Sequence, residues 1–358
     1  MTHPVHVGLI GCGEIAPRYV KNARGFESMR IVACADIRAE RARAFAAEHG
    51  VPRACGVLEL IHDPEVEVVL NLTPPSSHGE IALASVHAGK SVYNEKPLTV
   101  RRRDARRILA DAERHGLLVG CAPDTFMGAG QQACRRVIDG GELGEIVGGA
   151  AFMMNRGPES WHPNPAFFYE RGAGPLFDMG PYYITALVNL LGPVARVTGS
   201  GRTTWLKRPV TVAGREGEVI QVEVPTHVAG VLEFRQGAVV ALVMSFDVRH
   251  HAMPHIELFG SEATLRAPDP NEFGGVARVL GREGGEWRDV SGPPTAREDD
   301  ARGIGLEEMC RCLRGGGGHR ASGALAYHVL DVMHGIADAA ERGRHVSIES
   351  SVERPEPM

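Results

Sequence analysis

The sequence predicts an α/β protein with a doubly wound parallel sheet at its N-terminus, followed by an α+β domain built on a large, open, mostly antiparallel sheet. Over residues 5–123 short β-branched apolar runs alternate with amphipathic helical stretches. From residue 124 onward one helix is followed by successive strand-like runs. At 358 residues the chain exceeds one ordinary core, so two domains, 1–123 and 124–358, are expected.

In the first domain the strands are expected at 6–10, 30–35, 67–72, 91–93 and 117–121, each short and apolar. The helices are expected at 17–23, 39–49, 78–88 and 101–115, where apolar residues recur at helical spacing, with Gly50, Gly89 and Gly116 as stop signals. In the second domain a helix at 130–140 precedes strands at 146–154, 195–204, 226–234, 238–248 and 255–265, with Arg235-Gln236-Gly237 as a tight turn. Residues 174–191 and 325–340 read as helices, 315–318 as a Gly-rich loop, and 354–358 as an end that frays.

Composition excludes several classes. Apolar residues make up 43% and charged residues 23%, which rules out disordered and fibrous chains. A net charge of -5 supplies no broad cationic field, so a nucleic-acid partner is not expected. No run of about 18 apolar residues is present, and the first residues lack the charged and apolar regions of a signal peptide. A cytoplasmic location with no membrane association is expected. The seven scattered cysteines are an odd number and read as reduced; Cys310-x-Cys312 lacks a second cluster at zinc-like spacing, and strand placement sends neighbours among His250, His251 and His255 to opposite faces, so no metal is expected. Of 39 basic residues only Lys21, Lys90, Lys96 and Lys207 are lysines, so a retained lysine draws notice where a compact, deprotonatable ammonium would serve.

The first strand runs into Gly11-Cys12-Gly13-Glu14-Ile15-Ala16, a GxGxxA turn that opens a helix. In such a turn glycine lets a pyrophosphate approach the backbone while the helix N-terminus offers N–H groups and a favourable dipole. Asp36 stands at the end of the second strand, where its carboxylate can accept both ribose hydroxyls and would repel a 2′-phosphate, favouring NAD over NADP. It can also be read as a helix N-cap, and Arg38 and Arg41 lie close enough in sequence to meet a phosphate. Thr73, Pro74, Pro75 and His78 follow the next strand, either as a loop tracking the cofactor or as a rigid turn. Glu95, Lys96 and Pro97 follow the strand after that, in a position that admits a cis bond before proline and brings Lys96 to the expected nicotinamide end.

Together with Gly172-Ala-Gly-Pro-Leu-Phe-Asp178-Met-Gly180-Pro-Tyr182, these segments resemble the glucose-fructose oxidoreductase/inositol dehydrogenase (Gfo/Idh/MocA) family over essentially the whole chain. The resemblance implies a Rossmann domain, NAD as cofactor, and hydride transfer between nicotinamide and a secondary hydroxyl of a sugar, inositol or related polyol. It implies that Lys96 is the catalytic lysine, with Asp178 and Tyr182 as its partners across the cleft. The family usually carries His where this chain has Tyr182, and a basic pair where it has Ala122-Pro123-Asp124. Asp178 and Tyr182 are four residues apart and so share a helix face. The expected cofactor-binding set is Gly11, Cys12, Gly13, Glu14, Ile15, Ala16, Asp36, Thr73, Pro74, Pro75, His78, Glu95 and Lys96. The substrate set is Lys96, Asp124, Arg156, Trp161, His162, Asp178 and Tyr182, of which Arg156, Trp161 and His162 read equally as surface residues. Which of Lys96 and Tyr182 takes the proton stays open. An NAD-recycling lyase or glycosidase and a non-catalytic ligand sensor are the competing classes. The apolar alternation over 228–248 suggests a homodimer or homotetramer formed through that sheet.

Overall fold

The computed structural model describes residues 3–358. It divides into two compact units, Met1–Met127 with Asp300–Leu330 and Gly128–Asp299 with Asp331–Met358. The first cut falls just past the expected boundary, and a late segment rejoins the first unit.

The first unit begins with β1 (Val5–Ile10), α1 (Ala16–Ala23), β2 (Met29–Ala35), α2 (Ala39–His49), β3 (Arg53–Cys55), α3 (Val57–His62), β4 (Val68–Asn71), α4 (Pro75–His87), β5 (Ser91–Asn94), α5 (Arg102–Arg114) and β6 (Val119–Cys121). Its six strands are all parallel in the order β3-β2-β1-β4-β5-β6. Every residue of β4 and β5 is buried, the mark of a parallel sheet with both faces covered. Strand order reverses between β1 and β4, so the loops after them diverge and open a crevice at the carboxyl edge. Helix α4 starts at Pro75, three residues before the expected start, because a proline in the first turn forfeits no helical hydrogen bond. β3 and α3 were not anticipated.

The second unit comprises α6 (Ala129–Asp139), β7 (Ile146–Met154), α7 (Gly174–Leu191), β8 (Val194–Arg202), β9 (Lys207–Pro209), β10 (Val219–Gln221), β11 (His227–Phe234), β12 (Val239–Ser245), β13 (Ile256–Gly260), β14 (Ala263–Ala267), β15 (Ala277–Gly281) and β16 (Arg288–Val290). The chain continues through α8 (Ile304–Gly315), which belongs to the first unit, α9 (Gly323–Arg342) and β17 (Val346–Ser347). Nine strands form one sheet, β16-β15-β14-β13-β7-β12-β11-β8-β17, antiparallel except for the β7–β12 pair. Leu232, Phe234, Val240, Leu242, Met244, Ile256 and Leu258 are buried on one face of it. The run expected as one strand over 255–265 is a hairpin, β13 and β14, joined through Ser261 and Glu262. The C-terminal residues, expected to fray, are fastened instead. Arg354 Nε donates to Asn189 O (3.0 Å), Arg135 Nη1 to Pro355 O (2.6 Å) and Met358 N to Gln132 Oε1 (2.9 Å). Among the described residues no helix is long and apolar enough to cross a membrane.

Candidate active site

The turn after β1 is shaped for a nucleotide. Gly11 has φ +99°, and a Cβ there would lie 2.6 Å from Leu72 O, so only glycine lets this turn close against the end of β4. At Gly13 a Cβ would meet nothing nearer than an Arg41 nitrogen at 3.9 Å, which leaves this side of the turn open to a ligand. Glu14 is exposed and Ile15 half-buried at the head of α1, and Ala16 starts the helix with no acidic residue in its first turn to compete for the dipole.

Asp36 Oδ2 accepts from Cys12 N (3.1 Å) and Oδ1 from Arg38 N (3.0 Å). The N-cap of α2 is Arg38, so Asp36 does not cap that helix. Arg41 donates from Nε to Cys12 O (2.8 Å) and stands 4.0 Å from Asp36 Oδ2, committed to the turn. Beside Asp36, Ile37 is 95% exposed and offers an apolar face of the kind an adenine ring covers. Carboxylate, apolar side chain and open glycine turn together fit the adenosine and pyrophosphate of NAD.

Lys96 sits in the turn after β5, half-buried, before a cis proline bond. Its backbone N–H donates to Glu95 Oε2 (2.9 Å), and Glu95 Oε1 accepts from Tyr19 Oη (3.0 Å). Burial, followed by the Glu95 charge, pushes the Tyr19 phenol well above its usual pKa, so it stays a donor. Glu95 is expected to contact cofactor; in the structure its Oε2 holds the Lys96 turn and its Oε1 ties that turn to α1 through Tyr19. His78 was expected there too, yet it is 1% exposed with both ring nitrogens against backbone carbonyls. Thr73 and Pro75 are half-buried and Pro74 is exposed, so this loop still offers a surface.

Asp124, expected to bind substrate, is fully buried and does structural duty. Its Oδ2 accepts from Gly303 N (2.8 Å) and Gly305 N (3.1 Å) at the head of α8, where a carboxylate also complements the helix dipole. Desolvation pushes its pKa up, while Arg302 and these two N–H groups pull it down. Asp124→Ala is therefore expected to cost about 2–5 kcal/mol in urea unfolding by orphaning two buried donors. Substrate KM of the folded variant should stay unchanged, whereas a raised KM would restore Asp124 to the binding site.

In the second unit Asp178 and Tyr182 lie one turn apart on α7, the first half-buried and the second 6% exposed. Ahead of α7 runs an aromatic segment. Trp161 is 63% exposed, its ring edge-on to His162 (5.4 Å) and Phe168 (6.3 Å), and His162 packs on Phe167 as well (5.4 Å). The Arg156 side chain is exposed, and its carbonyl accepts from Arg208 Nη2 (2.8 Å).

Several supporting residues escaped the sequence reading. Buried Arg208 pairs with Glu159 and with Asp247 (2.6 Å), and Thr226 Oγ1 donates to Asp247 Oδ2 (2.6 Å), which anchors the aromatic segment to the sheet. Nothing local marks Arg208, which follows Lys207 like a surface basic pair. Asn71 and Asn94 did leave a signal: β4 and β5 are apolar runs that both end in a fully buried Asn.

Comparison with known proteins shows the family. A family model described as an oxidoreductase family with an NAD-binding Rossmann fold matches residues 5–122, and one for the GFO/IDH/MocA C-terminal domain matches residues 131–266. The dTDP-3,4-didehydro-2,6-dideoxy-alpha-D-glucose 3-reductase of Actinomadura kijaniata is 30% identical over 268 residues, covering 74% of each chain. Myo-inositol 2-dehydrogenase of Thermotoga maritima is 23% identical over 269 residues, covering 75% of this chain and 76% of the relative. In fold, the chain is similar to an NAD binding oxidoreductase from Klebsiella pneumoniae (TM-score 0.85, 22% identity, 98% and 100% of the two chains). It is likewise similar to levoglucosan dehydrogenase in complex with NADH and L-sorbose (TM-score 0.83, 20% identity, 98% and 100%). The chain belongs to the Gfo/Idh/MocA oxidoreductase family and is an NAD-dependent enzyme with a Rossmann domain.

Proposed function

We propose that the protein is a dehydrogenase that oxidises a secondary hydroxyl of a sugar, inositol or related polyol, or reduces the corresponding ketone. The observation that carries this reading is Lys96, held at the carboxyl end of β5 by the Glu95 carboxylate on its own N–H and by His78 on the carbonyl of Pro97. The names of the relatives, a sugar reductase, an inositol dehydrogenase and a levoglucosan dehydrogenase, support the substrate class.

Bound NAD supplies the hydride acceptor at nicotinamide C4. As hydride leaves the carbinol carbon, negative charge grows on its oxygen, and the Lys96 ammonium stabilises it. The hydroxyl proton passes to the Tyr182 oxygen as the phenol gives its own proton to solvent, and Asp178 orients the substrate through a second hydroxyl. Trp161 and His162 offer ring faces, and Arg156 a charge, to the remainder of the substrate. Gly11 to Ala16 and the Thr73–Pro75 loop hold the pyrophosphate and nicotinamide halves of the cofactor, and Asp36 the adenosine ribose. Asp36→Ser is expected to erode the preference for NAD over NADP by about tenfold in the ratio of kcat/KM, through loss of a charged acceptor for the ribose hydroxyls.

A homodimer or tetramer through the nine-stranded sheet completes the reading. Val239 and Phe259 flank Gly148 in register and stand 48% and 42% exposed, an apolar strip that a second copy would cover. The function is tested by incubating purified enzyme with NAD and a panel of sugars, inositols and glycosides. NADH formation equal to substrate loss supports a dehydrogenase. Glycoside loss without NADH would replace it with a lyase that returns its hydride.

A further inference from the structure

Behind Thr73 and Lys96 lies a buried polar lattice that hydride transfer does not itself require. Asn71 and Asn94 are register partners at the ends of β4 and β5, both fully buried. Asn71 Oδ1 accepts from Thr73 Oγ1 (2.7 Å) and Thr73 N (3.3 Å), and its Nδ2 donates to Asn94 Oδ1 (3.0 Å) and His78 O (3.2 Å). Asn94 Nδ2 donates in turn to Leu98 O (2.8 Å). The His78 ring closes the lattice, with Nδ1 2.6 Å from Pro97 O and Nε2 2.7 Å from Thr73 O. A neutral imidazole can donate to one of these carbonyls, an imidazolium to both. Burial pushes its pKa below the usual imidazole value, against the two carbonyl contacts and the Glu95 charge, which favour the doubly protonated ring. Buried polar lattices stabilise only when their members are satisfied, so this one fixes geometry rather than adding apolar burial.

We propose that His78 is a positioning residue: by bridging Thr73 O and Pro97 O it sets the spacing between the loop that seats the cofactor and the turn that carries Lys96. Cofactor seating and lysine placement are then one mechanical unit. The inference rests on Lys96 being the catalytic lysine. His78 itself touches neither cofactor nor substrate, since its ring nitrogens are spent on backbone carbonyls.

Two substitutions separate the halves of the bridge. The amide nitrogen of Asn reproduces Nδ1 and that of Gln reproduces Nε2, so His78→Asn keeps the Pro97 contact and His78→Gln the Thr73 contact. His78→Gln is expected to bind NADH within about threefold of the parent while losing kcat by about a hundredfold, the scale of a 1 Å misplacement. His78→Asn should weaken NADH by about tenfold while keeping kcat at saturating NAD within about tenfold. NADH affinity is read by fluorescence titration, kcat by absorbance, and the melting temperature alongside. Two variants that lose affinity and kcat in parallel with melting temperature, or that match the parent, would overturn the bridge. If neither variant folds, the native enzyme decides: a slowly exchanging His78 ring N–H that shifts on NADH addition supports the bridge, and its absence contradicts it. Turnover surviving in Lys96→Met would overturn the catalytic half separately, because the NADH titrations need no turnover.

Discussion

Lys96→Met is expected to lower kcat by at least about a thousandfold while NADH binds with nearly parental affinity. Methionine keeps the length and apolar stem of the lysine and removes only the ammonium, so the loss reports the charge that meets the developing alkoxide. The turn itself should survive, because its fixed points are peptide groups: Lys96 N on Glu95, Pro97 O at His78 and Leu98 O on Asn94. Steady-state turnover with the best substrate of the panel and NADH fluorescence titration check the two halves of the expectation. Retained turnover would remove Lys96 from the mechanism, and lost NADH binding would make it a cofactor-binding residue instead.

The largest expected effect on stability lies in the other unit. Arg208, 7% exposed, is paired with the 10% exposed Glu159 and the 6% exposed Asp247. Its guanidinium also donates to the carbonyls of Arg156 (2.8 Å) and Phe246 (2.9 Å) and lies over the Tyr169 ring (5.2 Å). Arg208→Met keeps the stem but leaves two buried carboxylates with no cation between them, a change expected to cost about 3–5 kcal/mol in urea unfolding. The segment bearing Trp161 and His162 loses its anchor in the same step, so substrate KM should rise in the folded fraction. A cost below about 1 kcal/mol, the scale of an exposed pair, would mean that water reaches this cluster.

What could be read from the chain alone was whatever depends on neighbours in sequence. The GxGxxA turn, Asp36 at the end of β2 and the helix stops all follow from local backbone needs, and Lys96 stands out because lysine is so rare here. Asp124 could not be read, because its partners Gly303 and Gly305 lie 179 and 181 residues away in a segment that rejoins the first unit. Arg208 was hidden for the same reason, with Glu159 and Asp247 at separations of 49 and 39. His78 is visible as a motif residue, but its bridge could not be read, since carbonyl partners leave no side-chain pattern. The β13–β14 hairpin was missed because Gly260-Ser261-Glu262 interrupts an apolar run too briefly to register as a turn. Helix α8 has Leu306, Met309 and Cys310 on one buried face, a helical spacing that is legible in the sequence.

The central claim, that the enzyme moves a hydride from a carbinol carbon to NAD, is tested most directly by isotope transfer. A sugar or inositol oxidised by the enzyme is prepared with deuterium on the reacting carbon and incubated with NAD, and the nucleotide is analysed by mass and proton NMR. The account predicts reduced nucleotide carrying deuterium at nicotinamide C4 in an amount equal to the ketone formed. Substrate consumption with no deuterated nucleotide accumulating would contradict it.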